Sequence, residues 1–320
     1  MANEENVPEE TVARAARAVE SAEHETGRLD TEGSCNPNLE LNALGTADLV
    51  RAMERRDAAV CEAVRSATPC IADAIDAIVS RLRRGGRLVY VGAGTSGRLG
   101  VLDASEIPPT FGMDPAVVVG LIAGGRDALI RSAESAEDHP ETGARDLRGI
   151  VLTADDCVVG IAASGRTPYV IGALEYARGT GALTIALACN DHAAISDYAD
   201  IAIEVPVGPE FVSGSTRLGA GTATKMVLNM LSTITMIRLG KTYRTLMVDV
   251  KATNDKLIAR AIRIVRAVTD ADETQARRAL ESCGWSAKTA IVMIARQCDA
   301  ASARAILDDN DGFLAKVIDN

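Results

Sequence analysis

The chain has 320 residues, 47% of them hydrophobic, enough to bury a sizeable α/β core in roughly two domains. Its 44 acidic and 34 basic side chains leave a net charge of −10, which argues against general attraction to nucleic acid or an anionic membrane. Any anionic ligand must be captured locally, by a few donors gathered in one place.

Seven cysteines without a CxxC pair and three scattered histidines (His24, His139, His192) fit reduced thiols, and neither a disulfide framework nor a metal is expected. The opening MANEENVPEE lacks the charged-then-apolar pattern of an export signal. The most apolar helix candidate, Met226 to Leu239, is interrupted by Asn229 and Ser232. A cytoplasmic protein is expected.

In chain order, residues 7–26 read as a charged amphipathic helix ending at Gly27, followed by the loop candidate TEGSCNPNLE. From Thr46 to Arg84 apolar residues recur at helical spacing, which predicts two helices before Gly85 and Gly86. RLVYVGAGTSGRLG predicts a strand, a glycine loop and a helix that must stop near Pro108 and Pro109. AVVVGLIAGG, CVVGIAASGRTP, ALTIALACN and IAIEVPVG read as further buried strands, and GRTPYVIGALEYARGTG as a helix with Pro168 in its first turn. Strand and helix alternate, so the sheet should be mainly parallel with helices on both faces.

The long polar turn GPEFVSGSTRLGAGT precedes a helix over roughly 216–239, and an all-helical tail follows from about Ala252. Within the tail, TQARRALESCGWSAKTAIVMIARQ resembles a small three-helix module. The expected division is an amino-terminal helix and loop (1–50), a central α/β domain (51–246) and a carboxy-terminal helical module (247–320).

Gly92, Gly94 and Gly97 form a GxGxxG behind a strand, a pattern that suits a dinucleotide or a phosphate monoester. A dinucleotide fold wants an acid after the next strand, whereas Asp114 precedes AVVVGLIAGG, which counts against NAD. Thr95 and Ser96 add hydroxyls beside backbone donors at a helix start, a combination suited to a compact phosphate. Ser164, Gly165 and Thr167 repeat the arrangement at the next strand-to-helix turn, so both turns can face one anion.

GAGTSGRLGVLDASEIPPTFG, GIAASGRTPYVIGAL, GSTRLGAGTATKMVLNMLST and MVDVKATNDKL, taken together and in this order, resemble the N-acetylmuramic acid 6-phosphate etherase family. The resemblance spans about residues 92–256 and is weaker at TEGSCNP and in the tail. It implies a sugar isomerase (SIS) fold, a three-layer sandwich around a parallel five-stranded sheet, working as a homodimer without metal or organic cofactor. The implied reaction cleaves a D-lactyl ether from the sugar phosphate with water. The implied phosphate ligands are Thr95 and Ser96, flanked by Gly94 and Gly97, together with Ser164, Gly165 and Thr167. Glu106 matches the family's proton donor and Glu137 its second catalytic carboxylate. Cys35 stands where the family usually has an arginine, and Gly219 where it usually has a lysine.

Cleaving an ether β to an aldehyde needs a base at carbon 2 and an acid at the departing oxygen, so paired carboxylates make chemical sense. A helix breaking at Pro108 would leave Glu106 partly desolvated near Ile107 and Phe111, a setting suited to a protonated acid. SAESAEDHPE offers Glu134, Asp138 and Glu141 beside Glu137, and the spacing to the family motif favours Glu137. Glu210 and the run from Gly214 to Arg217, with Ser215 foremost, lie where they can reach a sugar. Capping of the following helix by Ser213 or Ser215 is the alternative. An aldose-ketose isomerase or a sensor that binds a sugar phosphate without turnover would share the phosphate pocket. The paired glutamates favour an enzyme.

Overall fold

The computed structural model describes residues 31, 33, 40–131, 133, 135–250 and 254–319. The expected helix over 7–26, Cys35 and Glu134 lie outside these.

Two amphipathic helices, α1 (Thr46–Ser66) and α2 (Thr68–Arg83), lead into β1 (Leu88–Gly92) and α3 (Gly94–Phe111). β2 (Val118–Ile122), α4 (Pro140–Gly149), β3 (Cys157–Ala162), α5 (Pro168–Thr180), β4 (Leu183–Ala188) and β5 (Ile201–Glu204) follow, then α6 (Gly219–Arg238). The five strands pair in the order β2-β1-β3-β4-β5, every pairing parallel. The order reverses between β1 and β3, and in open α/β sheets ligands bind at the carboxyl ends of the strands at such a switch point.

Alternate strand residues feed two cores, as the period of a strand dictates. Leu88, Tyr90, Val159, Ile185 and Leu187 pack with α1, α2, α3 and α6 on one face, while Val89, Val91, Val158 and Ala186 pack with α4 and α5 on the other.

One expectation needs correction. α3 does not stop at Pro108 but carries Pro108 and Pro109 in its last turn and ends at Phe111, where Gly112 adopts φ 66° and donates to Pro108 O at 3.0 Å. Proline already has a helical φ and removes only its own backbone bond, and here the burial of Ile107 and Phe111 holds the final turn in place.

After a short antiparallel pair, β6 (Thr242–Tyr243) and β7 (Leu246–Met247), the tail comprises α7 (Asp255–Val268), α8 (Glu273–Ser282), α9 (Ala287–Arg296), α10 (Ala300–Asp308) and α11 (Leu314–Ile318). The segment read as a three-helix module holds two of these, α8 and α9. Side-chain caps at Asn254, Asp272, Ser286 and Asp299 start four of the five helices, and the tail packs around its own core of Val265, Leu280, Ile291 and Leu314. Among the described residues no helix is long and apolar enough to cross a membrane.

Candidate functional site

At the carboxyl ends of β1 and β3, a cavity of about 250 Å³ is lined by Gly94, Thr95, Ser96, Ala163, Ser164, Thr167, Thr216, Gly221, Thr224 and Glu137, with Ala93, Ile161 and Ala162 at its base. The start of α3 and the turn between β3 and α5 build most of its wall. Gly97 makes this possible for α3, because an added Cβ there would lie 2.5 Å from Gly92 O and 2.7 Å from Ile122 Cγ1. Gly165 does so for α5: it has φ 73°, and an added Cβ would come within 2.4 Å of Ala193 Cβ.

The two helix ends differ in their backbone donors. Ala93 does not cap α3 with its side chain, so the N–H groups of Gly94, Thr95 and Ser96 remain as donors at the cavity, whereas α5 begins with Pro168, which has no N–H, and Tyr169 N is taken by Glu137 O at 3.0 Å. The hydroxyls of Thr95, Ser96 and Thr167 have no hydrogen-bond partner among the described residues, and Ser164 Oγ accepts from Arg166 N at 3.3 Å. Helix dipoles, N–H groups and hydroxyls thus converge on one small volume, a setting for a compact anion.

α6 is treated differently. Glu210, read from the sequence as reaching toward a sugar, is buried, and its two oxygens accept from Gly219 N at 2.8 Å and Ala220 N at 2.9 Å. It is the cap of α6 and does not line the cavity. Neither Ser213 nor Ser215 takes that role, because the helix begins only at Gly219, beyond the reach of a cap at 215. Ser215 sits half-buried in the turn, and its neighbour Thr216 reaches the cavity instead. An added Cβ at Gly219 would lie 3.0 Å from Glu210 Oε2 and 3.4 Å from Arg56 Nη2. Arg56 in turn donates to the carbonyls of Gly208 at 3.1 Å and Pro209 at 2.6 Å, so the glycine leaves room for this arginine.

The two glutamates singled out from the sequence are far apart within the chain. Glu137 is on the rim of the cavity, where its backbone carbonyl accepts from Tyr169 N at 3.0 Å. Partial loss of water, and secondarily the neighbouring Asp138 charge, hold its carboxyl above the usual carboxylate range. Glu106 is exposed on α3 and lies outside the cavity lining, about 18 Å along the axis from Gly94 at about 1.5 Å per residue. The expected desolvation beside Ile107 and Phe111 is absent because the unbroken helix turns those two residues into the core and Glu106 outward.

One turn before Glu106, Asp103 pins α3 to α6. It is buried and accepts from Asn229 Nδ2 at 2.7 Å, Tyr90 Oη at 3.0 Å and Ser232 Oγ at 3.2 Å, and burial raises its pKa. Behind Thr224 lies Cys189, whose thiol burial pushes up to about 12 and which is therefore no nucleophile at neutral pH.

Thr216 belongs to the run from Gly214 to Arg217 singled out above, whereas Gly221 and Thr224 were not singled out from the sequence. They reach the cavity because α6 packs along α3, a relationship carried by tertiary packing and not by any local motif. The amino-terminal loop also anchors beside the site: Asn190, at the end of β4, donates to Thr31 Oγ1 at 3.2 Å and to Ala163 O at 2.9 Å.

A parallel five-stranded sheet sandwiched by helices, with two hydroxyl-bearing strand-to-helix turns at its switch point and a helical tail, defines a SIS-type protein. Family models agree: the SIS domain matches residues 137–236, and the N-terminal SIS domain of glucokinase regulatory protein matches residues 70–178. The chain is 54% identical over 292 residues to the N-acetylmuramic acid 6-phosphate etherase of Vibrio campbellii, covering 91% of this chain and 95% of that one. It is 55% identical over 294 residues to that of Streptomyces avermitilis (92% and 94% covered) and 49% identical over 293 residues to that of Klebsiella aerogenes (92% and 98% covered). The chain belongs to the N-acetylmuramic acid 6-phosphate etherase family.

Proposed function

We propose that this chain cleaves the D-lactyl ether of N-acetylmuramic acid 6-phosphate with water, giving N-acetylglucosamine 6-phosphate and D-lactate in the cytoplasm. The observation that carries this reading is the pairing, in one small cavity, of the uncapped start of α3 and the hydroxyl-bearing turn before α5 with a carboxylate of raised pKa, in a chain about half identical to etherases along nine-tenths of its length. Thr95, Ser96, Ser164 and Thr167 hold the 6-phosphate, assisted by the N–H groups of Gly94, Thr95 and Ser96, while Gly97 and Gly165 let the two turns come close enough to share it. Glu137 takes the proton from carbon 2 of the open-chain sugar. An acid then protonates the ether oxygen as lactate leaves, and water adds to the unsaturated product.

Glu106 is the proposed acid, and its distance from Gly94 favours a role in the cavity of a second copy. Leu102 lies on the same face of α3, four residues earlier, and is 51% exposed, and α6 beside it exposes Ile234 and Ile237 at 38% and 44%. Covering these side chains in a homodimer would bury apolar surface and bring one copy's Glu106 to the other. The test is incubation of the purified protein with N-acetylmuramic acid 6-phosphate and assay of D-lactate. No lactate release would refute the reading. It would leave the alternative favoured by the match to a regulatory SIS domain, in which a sugar phosphate is bound without turnover.

A further inference from the structure

A second cavity, of about 170 Å³, opens on the other side of Glu137. It shares Ala93, Gly94 and Glu137 with the first and is completed by Arg98, Ala123, Ala128 and Ala133. Gly94 is the low point of the wall between them, since an added Cβ there would meet nothing within 4 Å. The two cavities are therefore adjoining compartments with one carboxylate at their boundary.

Their chemistry differs. The first offers hydroxyls and backbone N–H groups without a formal positive charge. In the second, Arg98 is the one basic side chain lining either compartment among the described residues, and apart from Gly94 and Glu137 the rest of the wall is alanine methyl groups. Arg98 Nε donates to Leu129 O at 3.1 Å, which fixes the plane of the guanidinium. Its Nη groups have no hydrogen bond and no ion pair among the described residues, Glu137 included. A fixed fork of N–H donors beside small apolar walls suits a carboxylate carried on a short, methyl-bearing chain.

Resting on the etherase reading, we propose that this second cavity is the lactyl subsite. Arg98 takes the lactyl carboxylate, and Ala123, Ala128 and Ala133 take the methyl group. The substrate carries two anions, and in a chain of net charge −10 each needs its own local partner. Phosphate in the first compartment and lactyl carboxylate in the second would span Glu137, leaving the carbons between them beside its carboxylate. Arg98 then sets specificity for an ether-linked acid over the same sugar phosphate with a free hydroxyl.

The test is calorimetric binding in a Glu137→Gln background, where turnover does not intervene, with N-acetylmuramic acid 6-phosphate and N-acetylglucosamine 6-phosphate as probes. Arg98→Met should weaken the first by about 10- to 100-fold, the size of a lost charge-assisted hydrogen bond, and the second by less than about twofold. Arg98→Lys should recover part of the loss. Equal weakening of both ligands, or of neither, would overturn the proposal. A further arm needs no change at Arg98: the lactyl carboxamide of the substrate should bind the Arg98 protein about 10- to 100-fold less tightly than the acid does. Equal affinity for acid and amide would also overturn it. Failure of the etherase reading would be read separately, as no lactate release by the unmodified protein.

Discussion

Glu210 and Gly219 are joined by a buried hydrogen bond of 2.8 Å from the Gly219 N–H to Oε2, and the other carboxylate oxygen takes Ala220 N at 2.9 Å. The amino end of α6 is thereby closed with a charge from the chain itself. The end of α3 is left open beside it, as are the hydroxyls of the turn before α5. The same physics, donors and a dipole seeking an anion, holds the fold at α6 and on the proposed reading holds a ligand at α3.

Removing that closure should therefore cost stability more than turnover. Glu210→Ala would leave two buried N–H groups without acceptors, for a loss of about 2 kcal/mol. Urea unfolding should show the midpoint fall, with lactate release per folded molecule nearly unchanged. A variant of normal stability that has lost substrate affinity would return Glu210 to the binding site.

At the open ends the opposite pattern is expected. Ser164→Ala and Thr167→Val should each weaken substrate binding by about 1.5–3 kcal/mol, since each removes a donor to a charged group. Inorganic phosphate should compete with substrate in the parent and do so less well in both variants. Unchanged KM in both would move the phosphate elsewhere.

These contrasts mark what could be read from the sequence. The strand, glycine turn and helix at 88–111 were legible because apolar runs, Gly92, Gly94 and Gly97 are local signals. The closure of α6 by Glu210 was not legible because its partners lie nine and ten positions away, across a turn whose shape no local pattern fixes. Gly221 and Thr224 went unnoticed because they are ordinary residues of a helix until α6 is laid along α3. Pro108 misled in the other direction: a local helix-breaking signal gave way to burial of Ile107 and Phe111.

Burial and Asp138 together raise the Glu137 carboxyl, which fixes the sign of two pH effects. A base works ionised, so the acidic limb of kcat/KM should lie above the range of an ordinary glutamate. Asp138→Asn should move that limb to lower pH by part of the shift, since loss of water, the larger cause, remains. A carboxyl whose folded pKa is raised contributes stability below its unfolded pKa and loses it as pH rises through the folded one. Glu137→Gln should accordingly raise the melting temperature at pH 7 and have little effect in acid. A limb that stays fixed in Asp138→Asn would remove Asp138 as a cause.

The separation of Glu106 from Glu137 supports the sharpest prediction, because the two must then act from different copies of the chain. Glu106→Gln and Glu137→Gln should each lower lactate release by about 100-fold or more, the scale of a positioned acid or base. Deuterium exchange at carbon 2 should be lost in Glu137→Gln and survive in part in Glu106→Gln. If a site takes Glu137 from one chain and Glu106 from its partner, a dimer of the two variants contains one site with both glutamates intact. Mixing the inactive variants under subunit exchange should therefore restore lactate release to a substantial fraction of the parent rate. If both glutamates served the site of their own chain, every site in the mixed dimer would lack one of them. No recovery on mixing, with exchange of subunits verified by mass-labelled chains, would overturn the two-copy arrangement, and near-normal lactate release by Glu106→Gln would remove Glu106 from the reaction.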